Sequence, residues 1–117
     1  MQAEIKLQSE CFLWHWNTYP QERKKLCYNL NNSANKIQGN QNKSLGLIKG
    51  RSDMVYYKNG NAIMIEFKTD NGAQSQDQIE WEKIITDEGF LYFVVRTLDE
   101  FKELVKKILN NNFHPKN

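Results

Sequence analysis

Ser52-Asp-Met-Val-Tyr-Tyr-Lys-Asn-Gly-Asn-Ala-Ile-Met-Ile-Glu-Phe-Lys68 is the stretch that decides the fold. Two β-rich runs, Met54–Lys58 and Ala62–Lys68, flank Asn59-Gly60, the pair best suited to a two-residue type I′ turn. With those two residues as the loop, Lys58 pairs with Asn61 and every cross-strand pair sums to 119, which sets Asp53 opposite Glu66. Directly opposed side chains have Cβ atoms roughly 4.5–5.5 Å apart, and like charges so placed destabilise a sheet. Lys68 lies two residues beyond Glu66 and shares its face. Two carboxylates and an ammonium thus converge at one end of an otherwise apolar hairpin. A cation between the carboxylates offsets their repulsion, and oxygen ligands suit magnesium or manganese.

Both hairpin faces are apolar. Val55, Tyr57, Ala62 and Met64 share the face of Asp53, Glu66 and Lys68, while Met54, Tyr56, Ile63, Ile65 and Phe67 fill the other. A sheet covered on both sides follows, as in α/β architectures. At 117 residues a single domain is expected, with residues 1–30 supplying an N-terminal helix and first strand, and residues 110–117 a flexible tail. No apolar run approaches the ~20 residues of a membrane span, and the first residues have no signal-peptide apolar core. A cytoplasmic location without membrane association is the expectation. Cys11 and Cys27 sit in apolar surroundings and read as reduced thiols. With only His15 and His114 beside them, no Cys/His zinc site can be assembled.

Charge is unevenly distributed. Arg23, Lys24, Lys25, Lys36, Lys43, Lys49 and Arg51 are seven basic residues in a segment without Asp or Glu, so a chain of net charge +2 carries −5 elsewhere. Such asymmetry fits a face for a polyanion, of which nucleic acid is the commonest, or a basic solvated loop.

Working outward, residues 3–17 read as a helix with Ala3, Leu7, Cys11 and Trp14 in one stripe. Trp14 and Trp16 are expected to pack and His15 to be at the surface or partly buried. Glu4 and Glu10 are its acids, each a solvated residue or a reach toward a metal. Pro20 opens a short helical turn through Lys25, Leu26–Leu30 suits a first strand, and a polar loop holds a helix from Asn35 to Leu45. After the hairpin, Ser75-Gln-Asp-Gln78 is a capping box, with Gln78 serving the cap or a site just beyond Lys68. Gly89 ends that helix. Phe90–Val95 suggests a central buried strand. Thr97-Leu-Asp-Glu100 caps a last helix burying Leu98, Phe101, Leu104, Val105, Ile108 and Leu109.

Gly50-x-x-Asp53, the hairpin, Glu66-x-Lys68, Ser75-x-x-Gln78 and a strand ending Val94-Val-Arg96 together resemble the virus-type replication-repair nuclease domain (VRR-NUC). That family belongs to the PD-(D/E)xK phosphodiesterase superfamily. The likeness runs from Asn31 to Ile108, and the segment Leu7 to Pro20 is similar to small stand-alone members from phages or mobile elements. Ser52 stands where the family has proline. The resemblance implies a restriction-endonuclease-like α/β fold with a central mixed sheet, in the order α-β-β-β-α-β-α. It implies that Asp53, Glu66, Lys68 and Gln78 are catalytic. It further implies that Asp53, Glu66 and the Phe67 backbone carbonyl hold Mg2+ or Mn2+, joined by Glu10 or Glu4. Lys36, Lys43, Lys49, Arg51 and Arg96 would contact DNA. The expected activity is metal-dependent hydrolysis of DNA, selective for branched or junction structures, by a homodimer. The alternatives are a non-catalytic nucleic-acid-binding module on the same fold, or a structural interaction domain in which the opposed acids are accidental.

Overall fold

The computed structural model describes residues 2–30 and 36–111. Helix α1 (Gln2–Thr18) ends where Tyr19 and Pro20 follow, and a 3-10 turn over Pro20–Lys25 carries the chain into strand β1 (Leu26–Tyr28). Proline begins that turn because its fixed φ suits a first helical position and its missing N–H would have no partner there. Helix α2 (Lys36–Ser44) precedes the hairpin of β2 (Met54–Lys58) and β3 (Asn61–Phe67). Then come α3 (Gln76–Asp87), β4 (Leu91–Val95) and α4 (Leu98–Leu109). The architecture is α/β, with a mixed four-stranded sheet flanked by helices.

The hairpin takes the expected register, with Met54 opposite Ile65 and Lys58 opposite Asn61. Asn59 and Gly60 have φ of 54° and 79°, the positive values a type I′ turn demands. The ladder nevertheless stops at Met54–Ile65, one pair short of Asp53–Glu66. Asp53 sits in a bend; its carbonyl accepts from Asn29 N at 2.8 Å, and its carboxylate accepts from Phe67 N at 2.7 Å. The side chain stands in for a ladder carbonyl, which avoids setting two carboxylates face to face on a regular strand. Ser52 supports the bend, fully buried, with Oγ donating to Met54 O at 3.0 Å.

The sheet order is β1-β2-β3-β4, antiparallel except for the parallel β3–β4 pair. Phe90–Val95, expected as a central strand, therefore lies at an edge among the described residues. Its apolarity comes from cover above and below. On one face Val95 joins Leu26, Met54, Tyr56, Ile63, Ile65 and Phe67 in the core beneath Cys11 of α1 and Phe101, Leu104, Val105 and Ile108 of α4. On the other, Trp81 of α3 packs on Tyr92, ring centroids 6.1 Å apart. That second face buries Val55 and Met64 but leaves Tyr57 half exposed, so the cover is concentrated at the Glu66 end.

The helices begin as their caps require. Ser75 and Gln78 form the complete capping box of α3. At α4 the Thr97 hydroxyl accepts from Glu100 N at 3.1 Å, whereas the Glu100 carboxylate accepts from Arg96 N at 2.9 Å. In α1 the stripe is Leu7, Cys11 and Trp14, with Ala3 exposed. Trp14 packs edge-on against Tyr19 and Phe101, while Trp16 stays partly exposed with Arg23 stacked 4.7 Å above its ring.

His15, expected near the surface, is fully buried, because it belongs to a polar cluster that gives it a partner inside. Its Nε2 lies 2.7 Å from the Tyr56 hydroxyl, which donates to Glu22 at 3.3 Å. Glu22 also binds Lys58 at 2.9 Å and Lys25 at 3.1 Å. Burial pushes the Glu22 carboxyl up, but the Lys58 and Lys25 ammoniums outweigh it and hold it below its ordinary range. Both cysteines are free thiols, Cys11 in the core and Cys27 half-buried at β1. Among the described residues no helix is long and apolar enough to cross a membrane.

Candidate active site

The bend before β2 and the end of β3 bring Asp53, Glu66 and Lys68 to one end of the sheet. Glu66 is completely buried and Lys68 is 8% exposed. Burying charged groups is costly unless each is paired or hydrogen-bonded, so the surroundings of each are informative. Burial pushes the Asp53 carboxyl up to about 6; the Phe67 N–H and the Lys68 ammonium pull it down, while Glu66 and Glu4 add to the rise. These four residues therefore share one electrostatic environment.

Of the two acids of α1, Glu4 is the one whose charge acts on Asp53. A Cβ placed on Gly72 would lie 3.2 Å from Glu4 Oε2 and 3.4 Å from Lys68 Cδ, so both side chains lie against the turn that follows β3. Glu10 is exposed, six residues farther along α1. Gly72 N donates to Thr69 O at 2.9 Å to close that turn. Arg96 staples it from outside, with Nη1 donating to Thr69 O at 2.8 Å and Gly72 O at 3.0 Å.

One oxygen of Glu66 is well served. Oε1 accepts from the Tyr92 hydroxyl and from Gln74 Nε2 at 3.2 Å. Gln74 Nε2 also donates to Glu82 of α3 at 2.8 Å. The other oxygen, Oε2, is buried with no hydrogen-bond partner among the described residues. Leaving a buried neutral acceptor unsatisfied costs ~1–3 kcal/mol, and a charged one more. Oε2 is the kind of atom that a bound cation satisfies, and hard oxygen donors are what magnesium and manganese take. Asp53 and Glu66 supply oxygen donors of that kind, but among the described residues no three His, Cys, Asp or Glu side chains gather closely enough to hold a metal by themselves.

Gln78 has its Oε1 in the cap, accepting from Ser75 N at 2.8 Å; the amide that reaches Glu66 is that of Gln74. Tyr92, Gln74 and Glu82 have no motif in the sequence. Tyr92 comes alongside only through the parallel register that sets Met64 opposite Tyr92, and Gln74 sits in an aperiodic loop. Of the basic residues, Lys43 and Lys49 are exposed. Arg51 is half-buried and donates to Asn29 Oδ1 at 3.0 Å. The side chain of Lys36 lies outside the described residues.

No family's sequence model matches the chain, and no curated protein matches it. A solved structure named "VRR_NUC domain protein" superimposes with a TM-score of 0.75 at 16% sequence identity, covering 92% of this chain and 88% of its own. At that identity the likeness is one of fold, and the shared fold is that of a protein named for a nuclease domain.

Proposed function

We propose that the chain is a divalent-cation-dependent hydrolase of DNA phosphodiester bonds, of the VRR-NUC type within the PD-(D/E)xK superfamily. The observation that carries this reading is the buried Glu66 Oε2, without a partner among the described residues, at the end of the sheet that holds Asp53 and Lys68. Asp53, Glu66 and the Phe67 carbonyl would hold Mg2+ or Mn2+, with Glu4 as the acid from α1. Such an ion, when bound, polarises a phosphate oxygen and lowers the pKa of water. Buried Lys68 supplies a fixed positive charge where negative charge develops during attack on phosphorus, in a site where water screens it little. Gln78 supports the site through the α3 cap rather than through Glu66. Lys36, Lys43, Lys49 and Arg51 are the proposed phosphate contacts, and Arg96 contributes through the turn it staples. Branched DNA is the proposed substrate class, and a two-fold dimer would present two such sites to a two-fold junction.

A second reading, a nucleic-acid-binding module that keeps the fold without catalysis, is favoured by the lack of a three-residue metal cluster among the described residues. Cleavage of linear, flapped and four-way DNA with Mg2+ or Mn2+ separates the two. The hydrolase cuts at least one substrate, and Lys68→Ala abolishes cutting while DNA affinity persists. Salt-sensitive binding with no cleavage of any substrate by the wild type would establish the module instead.

A further inference from the structure

Resting on the hydrolase reading, we infer that Tyr92 and Gln74 are positioning residues that clamp one oxygen of Glu66 so that the other faces a cation. A carboxylate on a free side chain can rotate and present either oxygen. Here Oε1 takes both the Tyr92 hydroxyl and the Gln74 amide, while Oε2 takes nothing from the described residues. The two oxygens are thereby assigned different tasks.

The clamp is itself held on both sides. Tyr92 packs against Trp81 of α3, and its backbone is fixed by the parallel ladder with β3. Gln74 Nε2 lies between Glu66 Oε1 and Glu82 Oε1. Two carboxylates at one amide atom require that atom to be the nitrogen, since a carbonyl oxygen there would be repelled. Glu82 thus fixes the orientation of Gln74, and Gln74 with Tyr92 fixes Glu66. Partners of this kind around a ligating group typically change metal affinity by ~10–100-fold when removed. Neither residue needs to touch the substrate or the ion.

Calorimetric titration of Mn2+ into the wild type, Tyr92→Phe and Gln74→Ala, with no DNA present, tests the clamp. Tyr92→Phe keeps the ring against Trp81 and removes only the hydroxyl; Gln74→Ala tests the clamp from a loop. Each variant is expected to weaken Mn2+ binding about tenfold. Cleavage kinetics should show kcat reduced and KM for DNA unchanged, a split that general loosening of the fold does not produce. Wild-type Mn2+ binding with both variants binding equally well would overturn the clamp and leave the hydrolase reading standing. A wild type with no Mn2+ affinity would overturn both.

Discussion

At the scale of single residues, the burial of Asp53 imposes an electrostatic cost on the fold. The Asp53 carboxyl is pushed up to about 6 in the folded chain, against an ordinary 3.8. A tenfold change in proton affinity is worth about 1.4 kcal/mol, so at pH 7.5 the ionised form costs on the order of 2–3 kcal/mol without a cation. Asp53→Asn keeps an oxygen for the Phe67 N–H and removes the charge. The metal-free variant should therefore melt several degrees above the wild type, while losing cation binding and cleavage. Thermal unfolding in a chelator measures the first effect and Mn2+ titration the second. The convergence of Asp53, Glu66 and Lys68 at one end of the hairpin was legible because a tight turn fixes the register of its strands. Tyr92, Gln74 and Glu82 were not legible, because their approach depends on a parallel pairing and a loop that no local pattern encodes. The burial of His15 was hidden for a related reason: its hydrogen-bond partner, Tyr56, comes from a distant strand.

At the scale of elements, the site depends on how the loop before β2 meets α3. Gly50 has φ of +85°, and a Cβ there would lie 2.5 Å from the backbone carbon and oxygen of Asp77. Gly46 has φ of +101° but open space around it. Alanine at position 46 should cost about 1 kcal/mol of left-handed strain alone. Alanine at position 50 adds a backbone collision and should cost on the order of 3 kcal/mol, displacing the bend that carries Asp53. Denaturant unfolding of the two variants checks the ordering; equal losses would mean that the loop does not rest on α3 in solution. Element types and limits were largely readable from capping boxes, from Pro20 and from Asn59-Gly60, since these are local chemistry. The edge position of β4 was not readable, because an apolar run records cover on its faces, and helices on both faces cover an edge strand as well as a central one.

At the scale of the molecule, the buried polar cluster and the site respond to pH in opposite directions. Burial holds His15 below its ordinary 6.5, so below that value the unfolded chain takes up a proton that the folded chain refuses, and stability falls with acid. Glu22, held below its ordinary 4.5 by its lysines, adds a further loss as pH falls through the carboxylate range. Asp53 opposes both between about 6 and 3.8, where the folded chain binds the extra proton. Removing that opposition with Asp53→Asn should steepen the acid limb of the stability curve, as read from unfolding midpoints between pH 4 and 7; an unchanged limb would contradict the Asp53 assignment. Above all stands the proposed hydrolysis, which would join the fold, the buried carboxylate and the basic segment. Its most direct measurement is single-turnover cleavage of four-way and flapped DNA across a Mg2+ titration, for wild type and Glu66→Gln. The expected result is wild-type cleavage that saturates with Mg2+ and vanishes in a chelator, and no cleavage by Glu66→Gln despite equal DNA binding. Cleavage that survives Glu66→Gln, or a wild type that binds DNA and never cuts it, would contradict the assignment of this site.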